Sequence, residues 1–412
     1  MNLFSVHSAS TLLQLDNTHI TAQSSSTSMI PEFQHPQTGD SILSLLATVL
    51  DNQSHDEPPM QKVVPFPRYP LDSSAADTIP GLGHPVPSTA QYWRFGIEVT
   101  GSTVQPHKPY IMATLNATPD SFSDGSVHNT LPSALSYVDS SVAAGADIVD
   151  IGGYSTRPGA DYVSPEDEIS RVIPIIEAVR HSESRSKDVL FSVDTFRFDV
   201  AEAAVLAGAN CINDVYAFTG PDYPLNTASA QHFLTMRKAA RSLSVPVVMM
   251  HSRGDAGSNK DYGKFKESPS AVLKGIQVEL GDKVSAAVRG KGGIRRWNVI
   301  VDPGVGFSKT VTDNLEILRN ASLITKMLKN LNPLAGYPLL IGTSKKSFLG
   351  TILAEPDPNG TYRGRNTEAR ERGWATAAAV ACSVQQGAGV IRVHDVLEMG
   401  DVIRVSSALW IS

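Results

Sequence analysis

The sequence predicts a (β/α)8 TIM barrel preceded by a largely irregular N-terminal extension. Three observations carry this prediction. After residue 107, eight short apolar runs return at regular intervals with helical stretches between them, and strands alternating with helices make βα units and a parallel sheet. The units occupy about 300 residues, close to the ~250 typical of such barrels. Three helices also end in similar words that lead straight into a strand: "AAGADIVDI", "LAGANCIND" and "QQGAGVIRV". An open doubly wound sheet is the competing architecture.

In chain order, residues 1–28 read as a tail and 29–107 as a linker-like segment. This region is Ser-, Thr-, Pro- and His-rich, with one short amphipathic run, "DSILSLLATVL", able to form at most a small helix. The barrel spans 108–412. Its first strand, "YIMATLNA", changes character at Asn116, where a Thr-Pro-Asp-Ser-Phe run begins a rim loop. The second is "ADIVDIGG"; the helix after it has Ser164 as N-cap, Pro165 in its first turn and Asp167 completing a capping-box-like pattern. Strands three to eight are "VLFSVDT", "CINDV", "VPVVMMH", "NVIVDPG", "PLLIGTS" and "VIRVHD". Gly145, Gly208 and Gly387 fall just past helices, where a left-handed residue ends the helix without a Cβ penalty.

Composition narrows the function. The 412 residues are 41% hydrophobic with a net charge of −6, which gives no electrostatic case for nucleic acid. No apolar stretch approaches the roughly 20 residues of a membrane span, and a basic n-region and apolar h-region are missing at the start of the chain. A cytoplasmic protein is expected; the acid-poor N-terminus lacks Arg before Arg68 and makes a weak mitochondrial transit peptide. Cys211 and Cys382, far apart and in apolar surroundings, are expected in the core rather than in a disulfide or metal site.

A barrel collects its chemistry at the C-terminal ends of its strands. The polar residues there are Asn116, Gly152–Arg157, Asp194, Asn213–Asp214, His251–Arg253, Asp302, Ser344–Ser347 and Arg392–Asp395. Asp194 and Asp302 are acceptor-only and Asn213 offers both functions, so the trio suits a flat heterocycle rich in N–H donors; helix capping or pairing with a Lys is the plainer alternative. Thr156, Arg157, Lys345, Lys346, Arg392 and His394 cluster at strand ends before helix N-termini, a site for phosphate. His251 is open between a supporting role and substrate contact. Asn116 offers a neutral oxygen of the kind that reaches Mg2+ when phosphate and water hold most of the ion, or it is a turn residue.

The words "LNATPDSFSDG", "GADIVDIGGYSTRPGA", "SVDT", "AGANCINDV", "VVMMHSRG", "VDPGVGFSKT", "IGTSKKSFLG" and "GAGVIRVHDV", in this order from about Lys108 to the C-terminus, resemble the dihydropteroate synthase family. The resemblance implies condensation of 6-hydroxymethyl-7,8-dihydropterin diphosphate with p-aminobenzoate to 7,8-dihydropteroate and pyrophosphate, a step of folate biosynthesis. It implies Asp194, Asn213, Asp302 and Lys346 as pterin contacts. Asn116 would be the Mg2+ contact, with Arg157, Arg392 and His394 on the pyrophosphate. Phe122, Thr156, Arg157, Pro158 and Ser347 would shape the p-aminobenzoate pocket, and Asp194, Lys346, Arg392 and His394 would be the catalytic set. The family also implies a homodimer through the late helices, where "EARERGWATAAAVACSVQQ" has a small-residue apolar face.

Four positions depart from the family pattern: Tyr154 where Glu is common, Ser252 for Met, Ser308 for Gly and Lys345 for Arg. Lys cannot reproduce a bidentate guanidinium contact, so Lys345 bears most on affinity and on the response to sulfonamides. These departures motivate one alternative, a catalytically silent pterin-binding paralogue with a regulatory or sulfonamide-tolerance role. A methyltetrahydrofolate methyltransferase on the same barrel is disfavoured by the intact "TPDSFSDG", "STRPG" and "RVHD" words. Upstream, "MIPEFQHPQTGDSILSLLATVL" resembles the end of hydroxymethyldihydropterin pyrophosphokinase, which precedes the synthase in fungal fusion proteins. Residues 29 to about 70 are therefore expected to be a remnant without kinase activity, in a chain of fungal type.

Overall fold

The computed structural model describes residues 41–51, 97–100, 103–106, 108–117, 130–155, 161–326 and 332–411. Helix α1 (Ile42–Asp51) is followed by a small antiparallel pair, β1 (Ile97–Thr100) and β2 (Thr103–Pro106). The barrel strands are β3 (Tyr110–Asn116), β4 (Ile148–Gly152), β5 (Leu190–Asp194), β6 (Cys211–Asp214), β7 (Val247–Met250), β8 (Val299–Asp302), β9 (Leu340–Ile341) and β10 (Val390–Val393). All eight apolar runs read from the sequence form these strands.

Their order is β8-β7-β6-β5-β4-β3-β10-β9, every pairing parallel, and a parallel bridge from Val301 to Leu339 joins the two ends. That bridge closes the sheet and excludes the open doubly wound alternative. Between strands run α2 (Leu131–Ala143), α3 (Pro165–Arg180), α4 (Phe198–Leu206), α5 (Thr227–Leu243), α6 (Ala271–Val288), α7 (Val311–Asn320), the short α8 (Ser322–Thr325), α9 (Ser347–Ala354) and α10 (Gly373–Gln385), with α11 (Val396–Trp410) last.

Local signals fix the helix ends. Ser164 Oγ accepts from the Asp167 amide at 3.0 Å and so satisfies one of the orphan donors of α3. Gly145, Gly208 and Gly387 follow α2, α4 and α10 at φ +100°, +115° and +80°. Only glycine takes such values without strain, which is why the same word recurs at three helix ends. Cys211 is buried inside the barrel, as expected; Cys382 is only half-buried, its thiol directed at the Leu318 carbonyl. Among the described residues, no helix is long and apolar enough to cross a membrane.

The linker reading of 29–107 needs one addition. Within it, α1 packs on α5 and α6, burying Ile42 and Leu46, and Ser41 Oγ donates to Asp282 Oδ2 at 3.1 Å. Burial of two aliphatic side chains stabilises this docking by roughly 1.5–3 kcal/mol each. The compact unit that holds the barrel therefore also includes α1.

Candidate active site

Alternate residues of each strand face the barrel interior. The deep layer consists of Met112, Ile148, Leu190, Cys211, Val248, Ile300, Leu340 and Val390, one apolar side chain per strand. Two residues further along the same strands stand Thr114, Asp150, Ser192, Asn213, Met250, Asp302, Gly342 and Arg392. Except at Met250 and Gly342 the interior thus turns from apolar to polar in one step, and Asp194 follows two residues above Ser192.

Arg392 is the hub of this upper layer. Its Nε donates to Asp150 Oδ2 at 2.6 Å and an Nη donates to Asp194 Oδ2 at 2.8 Å, while Asn213 Nδ2 donates to the same Asp150 oxygen at 3.0 Å. Burial alone would lower the guanidinium pKa, but the two carboxylates outweigh it and hold Arg392 charged. Burial and the Asp150 charge push the Asp194 carboxyl up against the pull of Arg392. Asp194 is therefore poised near its own titration and gains most from a ligand that brings donors or positive charge.

Across the barrel, Asp302 Oδ1 accepts from the Gly304 amide at 2.7 Å. Burial raises its pKa to about 6, against the Gly304 hydrogen bond and the Lys346 charge. Gly304 lies at φ +68°, and a Cβ there would come within 2.0 Å of the His251 carbonyl oxygen, so the β7 and β8 loops close on each other only with glycine at that position. The Lys346 ammonium stands 4.3 Å from the centroid of the Phe307 ring and immediately precedes α9. Ser347 is the exposed first residue of α9, whose leading backbone N–H groups point out of the helix. His394 Nδ1 lies 2.9 Å from Ser344 Oγ, and the His394 amide donates to the same hydroxyl at 3.2 Å.

Several rim positions are supports. His251 is held between Glu279 (2.9 Å from Nε2) and Lys309 (3.1 Å from Nδ1), and burial drops its pKa to about 3, so it is a neutral strut. Arg253 is buried and bidentate to Glu279 at 2.8 Å on each arm. Of the two roles left open for His251 this favours support: strand β7 ends in an apolar Met250, and the polar groups after it bind Glu279 on α6. Asp214 is likewise spent on the loop after β6, accepting from the Tyr216 and Phe218 amides.

The four unusual residues each have partners. Tyr154 lies edge-on to Phe196 and under the Arg197 guanidinium, which is bound to buried Glu168 at 2.7 Å. Ser252 Oγ donates to the Gly254 carbonyl, and Ser308 Oγ accepts from the Arg253 amide and donates to the Asp255 carbonyl. Lys345 Nζ donates to Asp395 Oδ1 at 2.8 Å, so this chain uses a single ion pair at that position. Ser308 and Lys345 both have left-handed backbone (φ +50° and +59°).

Asn116, Asp194, Asn213, Asp302, Lys346, Ser347, Arg392 and His394 all lie at strand ends or just beyond them on one barrel face. Phe122, Thr156, Arg157 and Pro158 lie outside the described residues. Sequence reasoning missed Asp150. The available signal was a carboxylate inside "IVDIG", a strand otherwise buried and apolar on both faces.

Residues 112–394 match the family model described as pterin binding enzyme. The chain is 37% identical over 306 residues to the Synechocystis protein named dihydropteroate synthase, covering 74% of this chain and 91% of that one. It is 40% identical over 304 residues to the Pneumocystis carinii folic acid synthesis protein fol1, covering 73% of this chain but only 36% of that longer protein. Among solved structures, the Burkholderia cenocepacia dihydropteroate synthase complexed with 7,8-dihydropteroate superimposes with a TM-score of 0.58 at 30% identity, over 76% of this chain and 96% of that one.

Proposed function

Because the chain belongs to the dihydropteroate synthase family of pterin-binding enzymes, we propose that it joins p-aminobenzoate to 6-hydroxymethyl-7,8-dihydropterin diphosphate, releasing pyrophosphate in folate biosynthesis. The observation that carries this reading is the set of polar groups at the strand ends, Asp194 paired with Arg392 in one barrel interior with Asn213 and Asp302.

The pterin enters this polar layer edge-on. Asp194 and Asp302 accept its ring N–H and amino donors, Asn213 supplies both functions, and Lys346 donates to its carbonyl side. Each such bond to a charged group contributes roughly 1.5–3 kcal/mol, and a ligand lacking the donors leaves a carboxylate unpaired, which gives steep selectivity. Arg392 and His394, with Arg157, take the diphosphate. As the C–O bond breaks, charge builds on the leaving pyrophosphate, and fixed cations that need no reorganisation stabilise it. Asp194 favours the developing pterin cation. The arylamine is unprotonated at neutral pH and attacks without a dedicated base. Ser347 and the N–H groups at the start of α9 receive the benzoate carboxylate, with Lys346 and Phe307 beside its ring. Phe122, Thr156 and Pro158 complete this pocket.

The described residues hold no group of three or more His, Cys, Asp or Glu side chains able to cage a metal. That donor set fits Mg2+ carried chiefly by diphosphate and water, with the Asn116 carbonyl oxygen as its protein contact; when bound, the ion supplies charge neutralisation of the leaving group.

Exposed Trp374 (89% accessible) on α10, with Leu397, Val405 and Leu409 on α11, supports a homodimer through these helices. A monomeric mass by light scattering at micromolar concentration would overturn that assembly.

The reaction itself is tested by pyrophosphate release from the purified chain given the pterin diphosphate, p-aminobenzoate and Mg2+. Turnover is expected from the wild type and its loss in Asp194→Ala and Arg392→Ala. A wild type that binds the pterin without turnover would make the chain a silent paralogue.

A further inference from the structure

The upper layer contains a carboxylate to which the reading above gives no task. Asp150 is wholly buried (0% accessible) in the middle of β4, an environment in which an ionised carboxylate is expensive unless it is fully paired. Its hydrogen bonds go to two groups of the site and nowhere else among the described residues. Oδ2 accepts from Arg392 Nε at 2.6 Å and from Asn213 Nδ2 at 3.0 Å, while Oδ1 has no partner.

Its neighbours at the same level are polar too. Thr114 on β3 and Ser192 on β5 are in register with Asp150, and the Thr114 and Ser192 hydroxyl oxygens are likewise buried without a hydrogen-bond partner. One layer deeper the same three strands present Met112, Ile148 and Leu190. Three adjacent strands thus give up apolar packing in the same layer that holds Arg392 and Asn213. A shelf of this kind destabilises the fold, and such violations persist where they serve a site.

We infer that Asp150 is a positioning residue, a shared anchor that orients the Arg392 guanidinium toward the diphosphate and the Asn213 amide toward the pterin. The geometry gives it that reach. A guanidinium held through Nε by Asp150 and through one Nη by Asp194 is fixed in plane, so its remaining N–H groups have one direction open. An Asn amide whose Nδ2 is committed to Asp150 presents its Oδ1 in a defined sense, which sets the acceptor that a pterin donor meets. One carboxylate oxygen therefore couples the two halves of the substrate without touching either. This role rests on the synthase reading for the identity of the ligands, though the anchoring contacts do not depend on it.

The test is calorimetric binding of two separate probes, 6-hydroxymethylpterin and inorganic pyrophosphate with Mg2+, to wild-type chain, Asp150→Asn, Arg392→Met and the double variant. Asp150→Asn keeps the shape and removes the charge that both donors need. Its affinity for each probe is expected to fall about ten- to a hundredfold, whereas in the Arg392→Met background it should cost nothing further for pyrophosphate and still weaken the pterin. A merely structural residue would lower thermal stability and leave both affinities of the folded protein unchanged, and that result overturns the inference. Asp150→Ser, which extends the Thr114–Ser192 hydroxyl pattern, is the second variant; if neither variant folds, Asp150 is a structural residue and the inference is again overturned. A wild type that binds neither probe overturns the synthase reading and this inference together.

Discussion

The deep layer of the barrel and the layer above it belong to the same eight strands, and two residues separate them along each. Met112, Ile148, Leu190, Cys211, Val248, Ile300, Leu340 and Val390 fill the first with apolar side chains; Thr114, Asp150, Ser192, Asn213, Met250, Asp302, Gly342 and Arg392 occupy the second. The backbone geometry is shared, so the contrast isolates what side chains alone do. The deep layer closes the barrel and can be judged by volume. The upper layer stands on that closed floor, and its members can be buried polar groups because their partners are already in fixed places. Burial is the first cause of the raised pKa values of Asp302 in this layer and of Asp194 just above it, a cost that a ligand bringing donors would offset.

The largest expected effect sharpens the functional half of the contrast. Arg392→Lys keeps the charge and loses the planar fork that engages Asp150 and Asp194 together. Turnover, followed by pyrophosphate release, is expected to fall by about a hundredfold or more, with the unfolding midpoint moving little. The matching variant one layer down is Ile148→Ala. It should destabilise the fold by about 2–5 kcal/mol in denaturant titration while the folded fraction keeps its kcat. Were Ile148→Ala to change kcat at constant folded fraction, the division into floor and site would be broken.

A third variant gives opposite signs for the two properties. Asp302 is raised from 3.8 to about 6 by burial. A carboxyl whose folded pKa is raised is destabilising when ionised; the penalty is absent below about pH 4, grows between pH 4 and 6 and is complete at pH 7. Asp302→Asn removes it and keeps an acceptor for the Gly304 amide, so the unliganded protein should gain roughly 1–3 kcal/mol at neutral pH. Pterin affinity should fall, because the amide puts an NH2 donor where the carboxylate has its second accepting oxygen. In the wild type, pterin affinity should weaken as pH drops through about 6, and a flat titration between pH 5 and 7 would show that Asp302 does not meet a donor.

The same contrast explains what the sequence disclosed. The eight strands were legible because apolar runs at regular spacing are local signals, and glycines such as Gly145 repeat a helix-ending word. The strand-end residues Asp194, Asn213, Asp302 and Arg392 were legible because each interrupts an apolar run where a barrel puts its chemistry. Asp150 was not, because it lies inside its run rather than at the end, and only the pairing of the last strand, β10, with β3 brings Arg392 within reach of β4. His251 stayed open between support and contact for the converse reason: it and Arg253 end a strand, but their partner Glu279 on α6 is 28 and 26 residues away, and local sequence does not show it. The role of α1 depended on a hydrophobic face on α5 and α6 that no local pattern reveals.

The smallest expected effect concerns Lys345, the departure most able to argue against catalysis. Its ammonium is engaged by Asp395, both side chains are partly exposed, and such a pair contributes at most about 1 kcal/mol. Its backbone is held independently of its side chain, since the Lys345 amide donates to Thr376 Oγ1 at 3.0 Å and its carbonyl accepts from Arg372 at 3.0 Å. The left-handed conformation is therefore imposed by α10 and by the segment before it. Lys345→Gly trades the lost ion pair against relief of the left-handed backbone, two contributions of about 1 kcal/mol and opposite sign. The unfolding midpoint should consequently stay within a few degrees and turnover within about twofold, since the following lysine, Lys346, is the one that faces Phe307. A tenfold loss of turnover in Lys345→Gly, with the fold intact, would mean that this side chain leaves Asp395 for the substrate, and the boundary between support and site would then pass between Lys345 and Asp395.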